Sequence, residues 1–332
     1  MPQYQRHRRP SCAALDLGSN NCRLLVAEPA KEGFHVVDAF SRIVRLGEGI
    51  ERHGKLSEAA MERTIDALKV CAAKMRRRRV ASARSVATEA CRRASNGDEF
   101  LDRVRTETGL EIEIISTAEE AALALGGCMP LLEPGSSHAL VFDIGGGSTE
   151  LMWVDCGGSE AGFRILESAS LPLGVINLSE IYGADRLTPE IYETMVAKVV
   201  PALEAFDDSG KIRGKIGRGE VQMLGTSGTV TTIAGINLGL PSYDRAQVDG
   251  CFMAFEEARA VNARLLALDL RGRAAVPCIG PSRADLVLAG CAILEAIIRI
   301  WPVGRLRVAD RGLREGILLD LMRGSRSGSL VA

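Results

Sequence analysis

The chain has 332 residues, 46% of them hydrophobic, with a formal net charge of -1. That length suits two domains of roughly 150 residues, each with enough apolar material for a packed core, and the near-neutral balance offers no global field to gather nucleic acid. Nine cysteines without a C-x-x-C pair, and four histidines all distant from them in sequence, argue against a structural zinc or a disulfide framework and fit reduced thiols in a cytoplasm.

The first ten residues are polar and lack an apolar core, so no signal peptide is expected, and Arg6-His7-Arg8-Arg9 reads as a solvated tail. Strands are predicted near 12–17, 22–28 and 34–40. A helix follows from about 57, with Ser57 as N-cap, the stripe Met61, Ile65, Leu68, Ala72, Met75 on one face, and Arg76 to Arg79 at its C-terminus, where cations oppose the helix dipole. A strand near 83–87, a helix near 97–107, a strand near 111–115 and a helix from about 118 complete the first half. The second half repeats this order: strands near 138–143, 150–154 and 163–171, a helix begun by Thr188 and Pro189 and broken or kinked by Pro201, a strand near 220–224, and a helix from about 229. Then come an apolar helix capped by Ser282 with Asp285 three residues on, a strand near 305–309 and a closing helix from about 312. Leu286 to Ile300, the most apolar stretch, is fifteen residues long and contains Glu295 and Arg299; it is too short for a bilayer and reads as a buried helix with an i,i+4 ion pair. The expected class is α/β, in two similar lobes divided near Gly126 to Gly135, spanning 1–125 and 126–325.

Two of the predicted strands end in an aspartate followed by small residues, Asp16-Leu17-Gly18-Ser19-Asn20 and Asp143-Ile144-Gly145-Gly146-Gly147-Ser148-Thr149. Backbone N–H groups in such turns approach an anion closely, the acid can hold a cation, and a hydroxyl can touch phosphate. The residues Gly18, Ser19 and Asn20, with Gly145, Gly146, Gly147 and Ser148, therefore suit a phosphate chain, and Asp143 suits Mg2+ held through water. A third loop, Gly225-Thr226-Ser227-Gly228-Thr229, opens a helix and puts N–H groups and a positive dipole end at an anion. All three lie at carboxyl ends of predicted strands, where open α/β sheets bind ligands. Glu120 has two readings: it closes a capping box with Thr117, or it is left free as a general base if Ser116 and Glu119 form the box instead.

With these residues in view, the chain resembles the Ppx/GppA phosphatases, the exopolyphosphatase and guanosine pentaphosphate phosphohydrolase family. The matching segments are A-L-D-L-G-S-N at 14–20, A-T-E-A-C-R at 87–92, I-I-S-x-x-E-E-A at 114–121, V-F-D-I-G-G-G-S-T-E-L at 141–151, L-P-L-G at 171–174, G-T-S-G-T at 225–229 and G-L-R-E-G at 312–316. The resemblance implies two ribonuclease H-like lobes of the actin, Hsp70 and sugar kinase superfamily, closing on a phosphate ligand. It implies Glu120 as general base, Asp143 and Glu150 as metal-linked acids, and Arg92 as a phosphate-holding guanidinium. Arg23 is a further candidate for that last role, against a surface reading. Asp16, Thr149, Gly225, Ser227 and Gly228 belong to the implied phosphate-binding set. Asn21, Ala122 and Asn177 depart from the family's frequent Ser, Arg and Arg, which weakens the expected grip on long polyphosphate, and the helical C-terminal extension of longer members is not expected.

The expected activity is release of terminal phosphate from inorganic polyphosphate by metal-assisted attack of water, with Mg2+ or Mn2+. The alternatives are pppGpp 5'-phosphohydrolysis, an ATP-dependent kinase of the same fold, or a non-catalytic binder of (p)ppGpp or polyphosphate. A homodimer is expected from the resemblance, with neither DNA nor membrane as partner.

Overall fold

A computed structural model of the chain describes residues 10–31, 33–157, 163–183, 187–208 and 210–327, with side chains up to 323. The basic run Arg6 to Arg9 lies outside these residues. The first half contains β1 (Cys12–Leu17), β2 (Asn21–Pro29), β3 (Phe34–Ile43), α1 (Ile50–His53), α2 (Glu58–Arg78), β4 (Ser82–Ala87), α3 (Glu89–Arg93), α4 (Gly97–Thr108), β5 (Glu113–Ile114) and α5 (Thr117–Cys128). The second contains β6 (His138–Ile144), β7 (Thr149–Asp155), β8 (Arg164–Leu171), α6 (Val175–Tyr182), α7 (Pro189–Phe206), α8 (Lys211–Ile216), β9 (Val221–Thr226), α9 (Gly228–Asn237) and α10 (Arg245–Val248). It continues with β10 (Phe252–Ala254), α11 (Phe255–Leu266), α12 (Leu270–Ala275), α13 (Val287–Ile300), β11 (Arg305–Ala309) and α14 (Leu313–Ser327).

The duplication anticipated from element order is a duplication of topology. One sheet runs β3-β2-β1-β4-β5 and the other runs β8-β7-β6-β9-β11, extended by β10 at its edge. In each, the central strand pairs antiparallel with the next strand in sequence and parallel with the fourth, which is the ribonuclease H-like arrangement. The central strands read as continuous apolar runs because both faces are covered; Ala13, Ala14 and Leu15, like Leu140, Val141 and Phe142, are fully buried.

Three of the helix starts expected from sequence follow from capping chemistry. The hydroxyls of Ser57 and Thr188 accept N–H bonds from Ala60 and Ile191, and Ser116 accepts from Glu119. Two expectations are revised: α7 is not broken, and α13 starts later than Ser282 would set. Helix α7 runs through Pro201, which is exposed, so the hydrogen bond its ring cannot donate is lost on the solvent side while Met195, Val196, Val199 and Leu203 pack inward. Helix α13 begins only at Val287 with Leu286 as N-cap, because Ser282 and Asp285 are engaged elsewhere: the Asp285 carboxylate accepts two bonds from Arg45, at 2.6 and 2.9 Å, and the Ser282 carbonyl a third at 3.1 Å. The Glu295 and Arg299 ion pair forms as expected, at 2.7 Å. No helix among the described residues is long and apolar enough to cross a membrane.

The halves are joined by exchange of their last helices. The stretch expected as a boundary begins with the last turn of α5, whose Ala121, Ala124, Leu125 and Cys128 pack on Ala139, Val141, Met152 and Val154 of the second sheet. Reciprocally, Ile317, Leu318 and Met322 of α14 pack on Cys12, Ala14, Leu25 and Val86 of the first. The two helices cross at glycines: a Cβ on Gly127 would sit 2.0 Å from the Gly312 carbonyl oxygen, and one on Gly316 would sit 1.9 Å from that of Leu123.

Candidate active site

The two Asp-loops are turns of matching construction. The Gly18 N–H donates to the Asn21 carbonyl at 3.0 Å and the Gly145 N–H to the Ser148 carbonyl at 2.8 Å. The carbonyls of the first loop are engaged from behind by the backbone N–H groups of Val44, Arg45 and Gly47. Among the described residues no hydrogen bond engages the amides of Ser19, Asn20, Gly146, Gly147 or Ser148, which leaves them for a ligand. The loops also touch: a Cβ on Gly146 would lie 2.9 Å from the Asn20 backbone nitrogen, and one on Gly147 would lie 2.7 Å from Ser19 Oγ. Glycine is required there by that approach.

A cavity opens beside them at the carboxyl ends of β1, β6 and β9, lined by both loops together with Asp16, Arg23, Glu89, Glu120, Asp143, Glu150, Ser227, Gly228 and Arg283. Register makes the two hairpins unequal. Asp16 stands opposite Arg23, whereas Asp143, at the equivalent place, stands opposite Glu150. The first acid therefore meets a cation across the strand pair and the second meets another carboxylate. Burial, and then the field of Asp143, push the Glu150 carboxyl up to about 7, against Ser148 and Ser170, whose hydroxyls donate to it at 2.5 and 2.9 Å. Burial holds Asp143 up at about 6 and likewise raises Asp16.

Ser116 with Glu119 forms the N-cap, so Glu120 is released from capping and faces the cavity. Arg92 donates to its Oε2 at 3.1 and 3.0 Å, to Glu89 at 3.1 Å and to the Ile115 carbonyl at 2.7 Å. Burial, then Glu150, push the Glu120 carboxyl up to about 9 despite that guanidinium.

Cations meet this array from β2, from the segment before α13 and from the crossing helix. Among the described residues none of Arg23, Arg283 and Arg314 forms an ion pair. Burial, followed by the field of Arg23, depresses Arg283, and burial depresses Arg314. Arg23 and Arg283, which line the cavity without a carboxylate partner among the described residues, are a standing demand for an anion. The third loop supplies Ser227, held at φ 107° and capping α9 with its hydroxyl on the Thr229 N–H at 3.2 Å, and Gly228, within 3.8 Å of Arg23 for a Cβ built there. A non-glycine residue held in that region is characteristic of ligand loops.

Asp143 and Glu150 are buried carboxyls opposite each other across the strand pair, with oxygens of the kind a hard cation takes, and Asn20 and Asn21 each bury a side-chain oxygen without a partner. Among the described residues no three His, Cys, Asp or Glu are placed to hold a metal ion together, so an ion here would keep several of its waters, as Mg2+ does, and those waters would satisfy the orphaned oxygens.

Known proteins resemble this chain over nearly its whole length. The model of the Ppx/GppA phosphatase family matches residues 25–324. The chain belongs to that family. It is 29% identical to "Exopolyphosphatase 2" of Mycobacterium tuberculosis, over 93% of this chain and 98% of that one. It is 30% identical to the "Guanosine-5'-triphosphate,3'-diphosphate pyrophosphatase" of Vibrio parahaemolyticus, over 97% of this chain but 61% of the relative. The crystal structure of the Aquifex aeolicus Ppx/GppA family member superposes with a TM-score of 0.73 at 28% identity, covering 95% and 98% of the two chains.

Within this Ppx/GppA site, most residues singled out from sequence line one cavity, and three stand behind its wall. Thr149 is fully buried with its hydroxyl on the Leu173 carbonyl at 2.6 Å, and Gly225 lies under Phe142, whose ring a Cβ would meet at 2.6 Å; both support loops instead of presenting groups to a ligand. Arg92 is spent on Glu120 and Glu89. Sequence reasoning missed Arg283, which sits in an irregular segment outside any motif, and gave Glu89 no role of its own within A-T-E-A-C-R.

Proposed function

We propose that this Ppx/GppA protein is an exopolyphosphatase-type phosphohydrolase that releases the terminal phosphate of inorganic polyphosphate, with Glu120 as general base. The observation that carries this reading is the convergence, in one cavity, of a buried carboxylate freed from capping with two amide loops and unpaired arginines. The terminal phosphoryl oxygens would lie on the amides of Ser19, Asn20 and Gly146 to Ser148, and Arg23 and Arg283 would take the next phosphate. Glu120, aimed by Arg92, would accept a proton from the attacking water in its ionised form, which the guanidinium and a bound cation would favour against the burial that raises it. Asp143 and Glu150 would hold Mg2+ or Mn2+, which when bound offsets charge on the phosphate oxygens. The chain would work as two lobes, 1–125 and 126–325, in a cytoplasm, where its nine free thiols stay reduced.

The second reading is pppGpp 5'-phosphohydrolysis, which the Vibrio relative's name favours. The full-length correspondence to the mycobacterial exopolyphosphatase favours polyphosphate. Phosphate release from long polyphosphate, short polyphosphate and pppGpp, with and without Mg2+, separates the two. Glu120→Gln is expected to retain the fold and substrate binding while lowering turnover about 10²- to 10⁴-fold. Unchanged release from every substrate would remove Glu120 from the reaction.

A further inference from the structure

A line of charged side chains runs from the proposed base to the opposite lobe. Glu89 takes Arg92 on Oε2 at 3.1 Å and faces Arg93 through Oε1 at 3.7 Å. Arg93 donates to Glu51 Oε1 at 2.6 Å, and that same oxygen accepts the Asn177 side-chain amide, also at 2.6 Å. Asn177 belongs to the second lobe and sits on α6. That helix begins on the second phosphate loop itself, its Val175 and Ile176 N–H groups donating to the carbonyls of Gly145 and Gly146 at 3.0 and 2.8 Å. Gly147 of the same loop abuts Glu89, whose Cγ would lie 3.2 Å from a Cβ there.

We propose that Asn177, Glu51 and Arg93 form a positioning relay, through Glu89 and Arg92, that fixes the Glu120 carboxylate when the second phosphate loop is seated against the first lobe. This rests on Glu120 being the base. The loop that would hold the phosphate and the arginine that aims the base share no residue, yet the relay reaches both: Arg92 bonds Glu120 directly, and Asn177 follows the Val175 and Ile176 N–H groups that bond the loop. Each link from Glu120 to Arg93 is made within the first lobe, and the Glu51–Asn177 bond crosses between lobes. Displacement of α6 therefore removes the outer restraint on Arg93, which frees Glu89 and lets Arg92 divide its donors differently between Glu89 and Glu120. Asparagine suits this place because its uncharged amide can share one carboxylate oxygen with an arginine, whereas a second arginine would repel the first.

The test is steady-state phosphate release from short-chain polyphosphate at saturating Mg2+ by the full chain carrying Asn177→Ala, Glu51→Gln or both. Arg103→Ala, which breaks ion pairs of α4 with Glu58 and Glu107 away from the cavity, is the comparison. Each relay variant is expected to lower kcat about tenfold, as a misplaced catalytic group does, with KM within about twofold. The double variant should be no slower than the slower single one, and Arg103→Ala should keep kcat. Unchanged kcat in the single variants, additive losses, or an equal loss in Arg103→Ala would overturn the relay. Thermal melting verifies each fold, and Asn177→Ser or Arg93→Lys replaces a variant that does not fold. Glu120→Gln is measured alongside: if it keeps full activity, the assignment of the base falls; if it is inactive while the relay variants are not impaired, only the relay falls.

Discussion

Asp143 shows how a carboxylate can cost stability and serve a ligand. Burial holds its carboxyl at about 6, above the 3.8 of a free aspartate. Between those values the folded chain binds a proton that the unfolded chain has released, so this residue's contribution to stability falls as pH rises from about 4 to about 6 and stays low above that. Asp143→Asn is therefore expected to melt higher than the unaltered protein at pH 8, by roughly 2 °C or more, and to lose that advantage near pH 4. Millimolar Mg2+ should raise the melting temperature of the unaltered protein but not of the variant. A variant that melts lower at pH 8 would show that the carboxylate is already well satisfied without a cation. Asp16, raised by the same burial, is expected to follow the same pH trend, with Arg23 across the hairpin opposing it.

At the scale of elements, the crossing of α5 and α14 depends on glycine in a way that helix propensity opposes. Alanine normally stabilises a helix interior relative to glycine by about 1 kcal/mol. At Gly316 the new methyl would meet a carbonyl at 1.9 Å, so Gly316→Ala is expected to lose about 1–3 kcal/mol in denaturant unfolding. At Gly126, where the nearest atom is 4.0 Å away, alanine should be neutral or stabilising. Equal effects at the two positions would mean that the crossing tolerates separation. The same elements show what the sequence could and could not disclose. The strands, loops and capped helices were legible because each carries a local signature, such as Ser57, Ser116 or the Asp-loops. Helix α6 was missed because Gly174 begins it without any side-chain cap, and β10 because three residues show no periodicity. Ser282 and Asp285 misled because an N-cap signature cannot reveal that Arg45, 240 residues away in the chain, competes for the same carboxylate. Arg283 enters the cavity through long-range packing alone, which no local pattern records.

For the molecule as a whole, contacts between the halves differ in kind. The phosphate loops touch at Gly146 and Gly147, the rim is closed by Arg45 with Asp285 and by the Gly49 N–H on Glu180 at 2.8 Å, Asn177 bonds Glu51 beside them, and the helices cross behind. The helix crossing is largely apolar and reaches the cavity wall at one end, through Ala124 and Leu313. Because α5 covers the second sheet and α14 the first, neither half carries its own lid. A chain severed at the exposed turn of Pro134 and Gly135 is accordingly expected to remain assembled, its pieces eluting together from a sizing column, each unable to persist without the other. Independent elution of two folded pieces would contradict this. The bond between the halves would then be of the kind by which separate subunits trade arms, with one covalent strand retained to keep the trade within a single chain.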